Sequence, residues 1–321
     1  MEFLKNLKVK YQEANKKLYS GKISEHNDQY WHEKISISNI SDIDKKSKNQ
    51  FGIIGYSCDE GVKRNLGRIG AKNGPDAVRR KLGKLPIHFK DKKITDFGDI
   101  ICTENNLEDC QIAFSKTISQ LISNNHFPIG IGGGHDIAYA TFNGIKDGVK
   151  NSEEQKIGII NFDAHFDLRT TTFQPNSGTP FHQILSENNN VTYLAIGIQQ
   201  QSNTKELFKT AREKNVSFIT NLECETFSED IKSKLTSFLA KIDLLYITID
   251  LDGFSSAYAP GVSAPSPFGL SPNFVHQALV YLLKSKKTIA CDITELNPIF
   301  DQDEITAQLA AKLIDCIIVN A

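Results

Sequence analysis

Apolar residues along this chain gather in short blocks separated by longer amphipathic stretches. Eight such blocks stand out: "FGIIGYS" from Phe51, "KITDFGDI" from Lys93, "FPIGIG" from Phe127, "KIGIINFD" from Lys156, "VTYLAIGI" from Val191, "VSFIT" from Val216, "DLLYITIDLD" from Asp243 and "KTIACDIT" from Lys287. Each is too short for a helix of ordinary length and is apolar on both alternating faces, which predicts strands buried on two sides. Between them, "DCQIAFSKTISQLIS" and "FSEDIKSKLTSFLAKI" carry helical spacing, and Pro75 after Gly74 opens a further helix, "PDAVRRKLGKL". Strand and helix alternate, so the pattern predicts an α/β fold: a mostly parallel sheet with helices on both faces. The stretch "CDEGVKRNLGRIGAKNG" reads as a long glycine-bearing loop. Residues 1–50 are polar and rich in Asn and Lys, and are expected to form an N-terminal segment packed on the main body. No internal repeat, low-complexity stretch or interior linker divides the chain, so residues 1–321 are expected to be one domain.

Composition narrows the function classes. With 40% apolar residues and a net charge of −1 among 321 residues, the chain fits a globular protein and offers no basic stripe to nucleic acid or to a membrane surface. The Lys clusters in "VKYQEANKK" and "IDKKSKNQ" are interleaved with acids and amides and read as solvated surface. No apolar stretch approaches the roughly 20 residues of a membrane span. The six cysteines include no CxxC pair, which excludes zinc-ribbon and thioredoxin-like motifs, and the expected setting is cytoplasmic with reduced thiols.

Ligands of open α/β sheets bind beyond the carboxyl ends of strands, and three predicted strand ends carry the same chemistry. "NFDAHFDLR" alternates Asp163, His165 and Asp167, which extended backbone directs to one face. "DLLYITIDLD" finishes with Asp250 and Asp252 in the same alternation, and "GIGGGHD" presents His135 after a glycine turn. Each motif alone has a plain explanation: turn hydrogen bonds for DxHxD, chance for DxD, an anion-binding glycine turn for GGGH. Together they place four carboxylates and two imidazoles at one sheet edge, where the acids would repel unless cations neutralised them. Six ligands with an oxygen majority suit two divalent ions, with Mn2+ favoured over Zn2+ and Mg2+. Such a pair activates water at neutral pH.

The motifs "GGGHD", "NFDAHFD", "DLDGFSSAYAPG" and "DITELNP" resemble the ureohydrolase family of arginases, agmatinases and formimidoylglutamases, over most of the chain. That resemblance implies a three-layer α/β/α fold around a parallel sheet of eight strands, a dimanganese centre and a homo-oligomer. It implies that one ion is held by His135, Asp163, Asp167 and Asp250. The other would be held by Asp163, His165, Asp250 and Asp252, with Asp163 and Asp250 bridging. Glu295 matches the family carboxylate that holds the amidine or guanidine group.

Within the family, "DAHFDLR", "GIQQQSNTKELF" and "NSGTPF" are most similar to formimidoylglutamases. Arg169 stands where arginases have a neutral amide, and Ser177 stands where arginases and agmatinases have a His. That departure puts an arginase-type proton shuttle in doubt. His182, five residues on, is a candidate replacement or an ordinary helix residue. An Arg at the rim suits a substrate with carboxylates, although a structural ion pair explains Arg169 as well. The expected small-molecule substrate is therefore one with an amidine at one end and carboxylates at the other, N-formimidoyl-L-glutamate, hydrolysed to L-glutamate and formamide. Asp167 is expected to carry the proton and Glu295 to hold the amidine. Arg169, Ser177 and Asn203 are expected to contact the substrate, with Lys63, Arg64 and Arg68 as further rim candidates. Rival readings are a guanidino-acid hydrolase or agmatinase-like enzyme releasing urea, a metal-binding protein without catalysis, and a single-zinc deacetylase. Cys291 reads as a buried small hydrophobe. The loop after Asp252, residues 253–268, is expected to lie near the site.

Overall fold

The computed structural model describes residues 4–26, 28–43 and 50–321. Residues 44–49 of the expected N-terminal segment, and with them most of the second Lys cluster, lie outside the described residues. Among the described residues ten strands form one sheet: β1 (Val9–Gln12), β2 (Ser36–Ile37), β3 (Gln50–Ser57), β4 (Lys93–Cys102), β5 (His126–Ile131), β6 (Ile157–Phe162), β7 (Val191–Ile198), β8 (Ser217–Thr220), β9 (Leu244–Asp250) and β10 (Thr288–Thr294). Eight of them, in the order β4-β3-β5-β10-β9-β6-β7-β8, are parallel throughout. They are the eight blocks read from the sequence. The other two were not legible there, because four and two polar-flanked residues carry too little periodicity. Both pair with β4, β1 antiparallel and β2 parallel, so the N-terminal segment extends the sheet itself.

Two short helices, α1 (Trp31–Lys34) and α2 (Glu60–Arg64), precede the first longer one, α3 (Gly74–Leu82). With α8 (Glu229–Leu239), α9 (Pro272–Leu283) and α10 (Ile305–Asn320), α3 covers one face of the sheet through a continuous apolar cluster. The other face is covered by α4 (Leu107–Ser123), α5 (Ile137–Gly148), α6 (Pro180–Glu187) and α7 (Lys205–Glu213). This is the three-layer α/β/α arrangement. Strands sandwiched in this way are buried on both faces, as all six residues of β6 are. The stretch 58–74 is not a plain loop: α2 lies near its start and turns Lys63 and Arg64 toward Glu60.

The central strands explain where chemistry can occur. β10, last in sequence, lies between β5 and β9, and β6 lies beyond β9. Parallel strands end on the same edge, so the residues following β5, β10, β9 and β6 meet side by side at the middle of that edge.

On the N-terminal side, α3 is fastened to β4 by a charged group with no exposure. Arg79 Nε and Nη2 donate to Asp96 at 2.7 and 3.0 Å, and Nη1 donates to both oxygens of Asp99 at 2.7 and 2.9 Å. Tyr19 Oη adds a hydrogen bond to Asp96 at 2.7 Å, bringing the N-terminal segment into the same network. Removing the guanidinium leaves two buried carboxylates without their cation. Arg79→Ala is therefore expected to cost about 3–5 kcal/mol, read as a lowered urea midpoint. An unchanged midpoint would show that the acids find other partners.

Candidate metal centre

The glycine turn after β5 is held open for His135 by its neighbours. Gly132 N donates to Ile293 O at 2.7 Å, Gly133 N to Tyr56 O at 2.9 Å, and Gly134 N to Cys58 O at 3.0 Å. A Cβ on Gly133 would fall 1.7 Å from Cys58 O, so no other residue fits this passage between β3 and β10. The turn delivers a buried imidazole, whose Nε2 lies 3.0 Å from Thr248 Oγ1 on β9.

Around His135 Nδ1 stand three carboxylate oxygens: Asp167 at 2.9 Å, Asp250 at 3.1 Å and Asp163 at 3.2 Å. His165 Nδ1 lies 3.3 Å from the other oxygen of Asp163 and 3.3 Å from Asp252. Two ligand groups result, His135 with Asp163, Asp167 and Asp250, and His165 with Asp163 and Asp252, the donor atoms in each lying within 4.8 Å. Asp163 is common to both. All six expected ligands are thus brought together. Asp250 joins the first group through Oδ2, while its Oδ1 accepts from Asp252 N at 2.8 Å.

Two observations say that this cage fits cations. His135 Nδ1 and Asp252 Oδ1 are buried and lack a hydrogen-bond partner, an expense a protein avoids unless something else is bound. Charge tells the same story. Burial works against ionising Asp250, and the charges of Asp252 and Asp163 add to it, so its carboxyl is pushed well above the usual range. Burial would lower both imidazoles, yet the surrounding carboxylates outweigh it and raise them well above theirs. Protons stand in for missing positive charge here, and divalent cations would displace them. No thiolate lies in either group, so oxygen and imidazole set the preference for a hard or borderline ion.

Glu295, just past β10, closes the floor. Its Oε1 accepts from His135 N at 2.9 Å, and its own N donates to Gly133 O at 2.8 Å. Burial, then the charge of Asp252, push its carboxyl up to about 8. Asp167 and Glu295 both have left-handed backbone, with φ of 48° and 65°. For residues other than glycine this conformation costs energy and is kept where geometry demands it.

A cavity of about 320 Å³ opens above the cage, lined among others by Asn65, Arg68, Arg169, Ser177, Asn203 and Glu295. Arg169 is exposed at its rim; its Nη1 donates to Asn65 Oδ1 at 2.9 Å, and it pairs with no carboxylate among the described residues. Ser177 Oγ accepts from Asn65 Nδ2 at 3.1 Å, which leaves its hydroxyl hydrogen to donate. Asn203 reaches the cavity but is committed elsewhere. Its Nδ2 donates to Ala164 O and Gln199 O, and its Oδ1 accepts from Phe166 N, so it holds the ligand loop and has no hydrogen left for a substrate. Arg64 is bound to Glu60 and Glu108 and does not line the cavity. Lys63 lies beside Glu60 at 3.4 Å and is also absent from it. Arg68 does line it, with Nε on Ser263 O at 2.9 Å, and so anchors the loop 253–268 beside the site. His182 lies on α6 outside the cavity lining, and Cys291 is fully buried in the core.

The arginase family model matches residues 49–319. The chain belongs to the arginase family. Among relatives, a formimidoylglutamase from a Geobacillus species is 39% identical over 306 residues, covering 94% of each chain. One from Clostridium tetani is 41% identical over 302 residues, covering 90% of this chain and 88% of the other. The crystal structure of formimidoylglutamase from Bacillus subtilis superposes with a TM-score of 0.80 at 22% identity, covering 94% of both chains. A Trypanosoma cruzi formiminoglutamase with Mn2+ gives 0.77 at 24% identity, over 88% of this chain and 98% of that one.

In this arginase-family chain, sequence reasoning missed the residues behind the ligands. Thr248 holds His135, and Asn161 Nδ2 donates to Asp163 Oδ2 at 3.0 Å. Each lies two positions before a ligand, on the same face of its strand, and that alternation was the available signal. Asn65 gave none. Divalent cation is expected to raise the thermal midpoint of the metal-stripped protein, and Asp163→Asn to abolish the rise, read by calorimetry with and without chelator. Equal midpoints with and without cation would remove the metal reading.

Proposed function

We propose that this chain hydrolyses N-formimidoyl-L-glutamate to L-glutamate and formamide, using two Mn2+ ions held by His135, Asp163, His165, Asp167, Asp250 and Asp252. The observation that carries the reading is the opposition of a carboxyl and a guanidinium across one cavity. Glu295 lies buried on the floor, and the Arg169 guanidinium is exposed at the rim with no carboxylate partner. A substrate with an amidine at one end and carboxylates at the other fits that polarity, whereas agmatine, cationic at both ends, would meet Arg169 with like charge. Formimidoylglutamases at about 39–41% identity support the same choice.

When bound, the ion pair supplies a nucleophile from water at neutral pH. The chain's residues do the rest. Glu295, kept in place by the backbone N–H of His135, pairs with the amidinium and aims its carbon at the cage. Arg169 pairs with a carboxylate of the glutamate moiety, and Ser177 offers its remaining hydrogen. Asp167 takes up the proton given by the attacking water and passes it to the glutamate nitrogen as the C–N bond breaks, releasing the amine and formamide. The same reading takes residues 1–321 as one domain, a homo-oligomer of the cytoplasm without nucleic-acid or membrane partners. Among the described residues no helix is long and apolar enough to cross a membrane.

Protein stripped and reloaded with Mn2+ is expected to bind about two ions and to release glutamate and formamide together. Urea from a guanidino acid or agmatine, with no glutamate formed, would overturn the substrate. Arg169→Ala should raise KM by about 10–100-fold with a smaller change in kcat. Glu295→Gln should lower kcat by about 10²–10³-fold. Asp167→Asn with its metal intact and full activity would remove Asp167 from proton transfer.

A further inference from the structure

Outside the hydrolytic cage, the described residues hold one other tight group of metal-ligating side chains. The β3–β4 ladder pairs Ser57 with Ile101, so the next residues, Cys58 and Cys102, leave neighbouring strands side by side. Cys110, in the first turn of α4, packs over them. The three Sγ atoms lie within 4.8 Å of one another, and all three cysteines are free. Three sulfurs each about 2.3 Å from a common ion stand about 4 Å apart, so small side-chain adjustments suffice to bring them onto one centre. Cys58 and Cys110 are buried, whereas Cys102 is only half-buried and leaves a path for an ion to enter.

We propose that Cys58, Cys102 and Cys110 form a binding site for one soft, thiophilic cation, Zn2+ or Cu+, distinct from the hydrolytic cage. Ligand softness separates the two sites. Thiolates select Zn2+ and Cu+, while carboxylates suit Mn2+, so the thiol site has little affinity for the Mn2+ of the cage. With no ion bound, the Cys102 thiol donates to Asn106 O at 3.4 Å. Binding sends the thiol protons to solvent, with no change of oxidation state. The ion would join the ends of β3 and β4 to α4. Cys58 O is the acceptor for Gly134 N at 3.0 Å, so the junction lies directly behind the glycine turn that carries His135.

The test uses the reduced, Mn2+-loaded full chain titrated with Cd2+, a spectroscopic stand-in for soft ions. Thiolate-to-cadmium absorption in the ultraviolet is expected to saturate at about one equivalent, to be lost in Cys102→Ser, and to persist in Cys224→Ser. On the unmutated protein, Cd2+ is expected to shield Cys102 from alkylation, mapped by mass spectrometry, so the result does not depend on the variant folding. Reversal of the band by Zn2+, or by Cu+ added without oxygen, identifies the ion. No band at one equivalent, a band undiminished in Cys102→Ser, or unaltered alkylation of Cys102 would overturn the site. Hydrolytic activity is not the readout, so failure here leaves the proposed reaction standing.

Discussion

Four carboxylates are held together at the centre of the sheet edge, and most of the surrounding architecture answers to that constraint. Like charges about 4 Å apart repel by about 4 kcal/mol per pair even in a polar protein environment, and burial makes each worse. Two imidazoles moderate the repulsion, and the orphaned Nδ1 of His135 with the orphaned Oδ1 of Asp252 marks the place left for cations. Thr248 and Asn161 hold ligands from behind, and the glycine turn is shaped by contacts with β3 and β10. The left-handed backbone at Asp167 and Glu295 is a local cost borne by the rigid frame around them.

Above this floor the chain treats its cations unequally. Arg79 is spent on Asp96 and Asp99, and Arg64 on Glu60 and Glu108. Arg68 braces the loop after β9 through Val262 and Ser263 and stacks its guanidinium 3.9 Å from the Phe300 ring centre. Of these four only Arg169 ends on a side-chain amide beside the cavity. On the proposed reading Arg169 is the cation left free to meet a substrate carboxylate, because an arginine already satisfied by carboxylates has little to offer a ligand.

The eight parallel strands were legible because burial on both faces writes itself as apolar blocks, and the six candidate ligands because they lie at or just past strand ends. The extended alternation expected of Asp163, His165 and Asp167 is not there, since β6 stops at Phe162 and Asp167 is left-handed. Strands β1 and β2 were not, since their pairing depends on the free edge of β4 and not on any pattern of their own. The rim was the hardest part to read. Arg64 and Arg169 look alike as letters, and only the positions of Glu60, Glu108 and Asn65 in space separate them. Asn203 showed the opposite error: it reaches the cavity as expected, yet its amide is consumed by Ala164, Gln199 and Phe166. Hydrogen-bond commitments between distant segments leave no trace in local spacing.

The place of β10 bears on how such a chain comes into being. It is the last strand made, and it separates β5, which leads to His135, from β9 and β6, which lead to the aspartates. A nascent chain that has not yet released Thr288 owns every ligand but has no strand to join the two sheet halves. The centre therefore closes only once β10 has been made and fills the gap, bringing Glu295 with it. Long-range closure of this kind is slow, and it keeps the hydrolytic centre from assembling on any chain that stops short of β10.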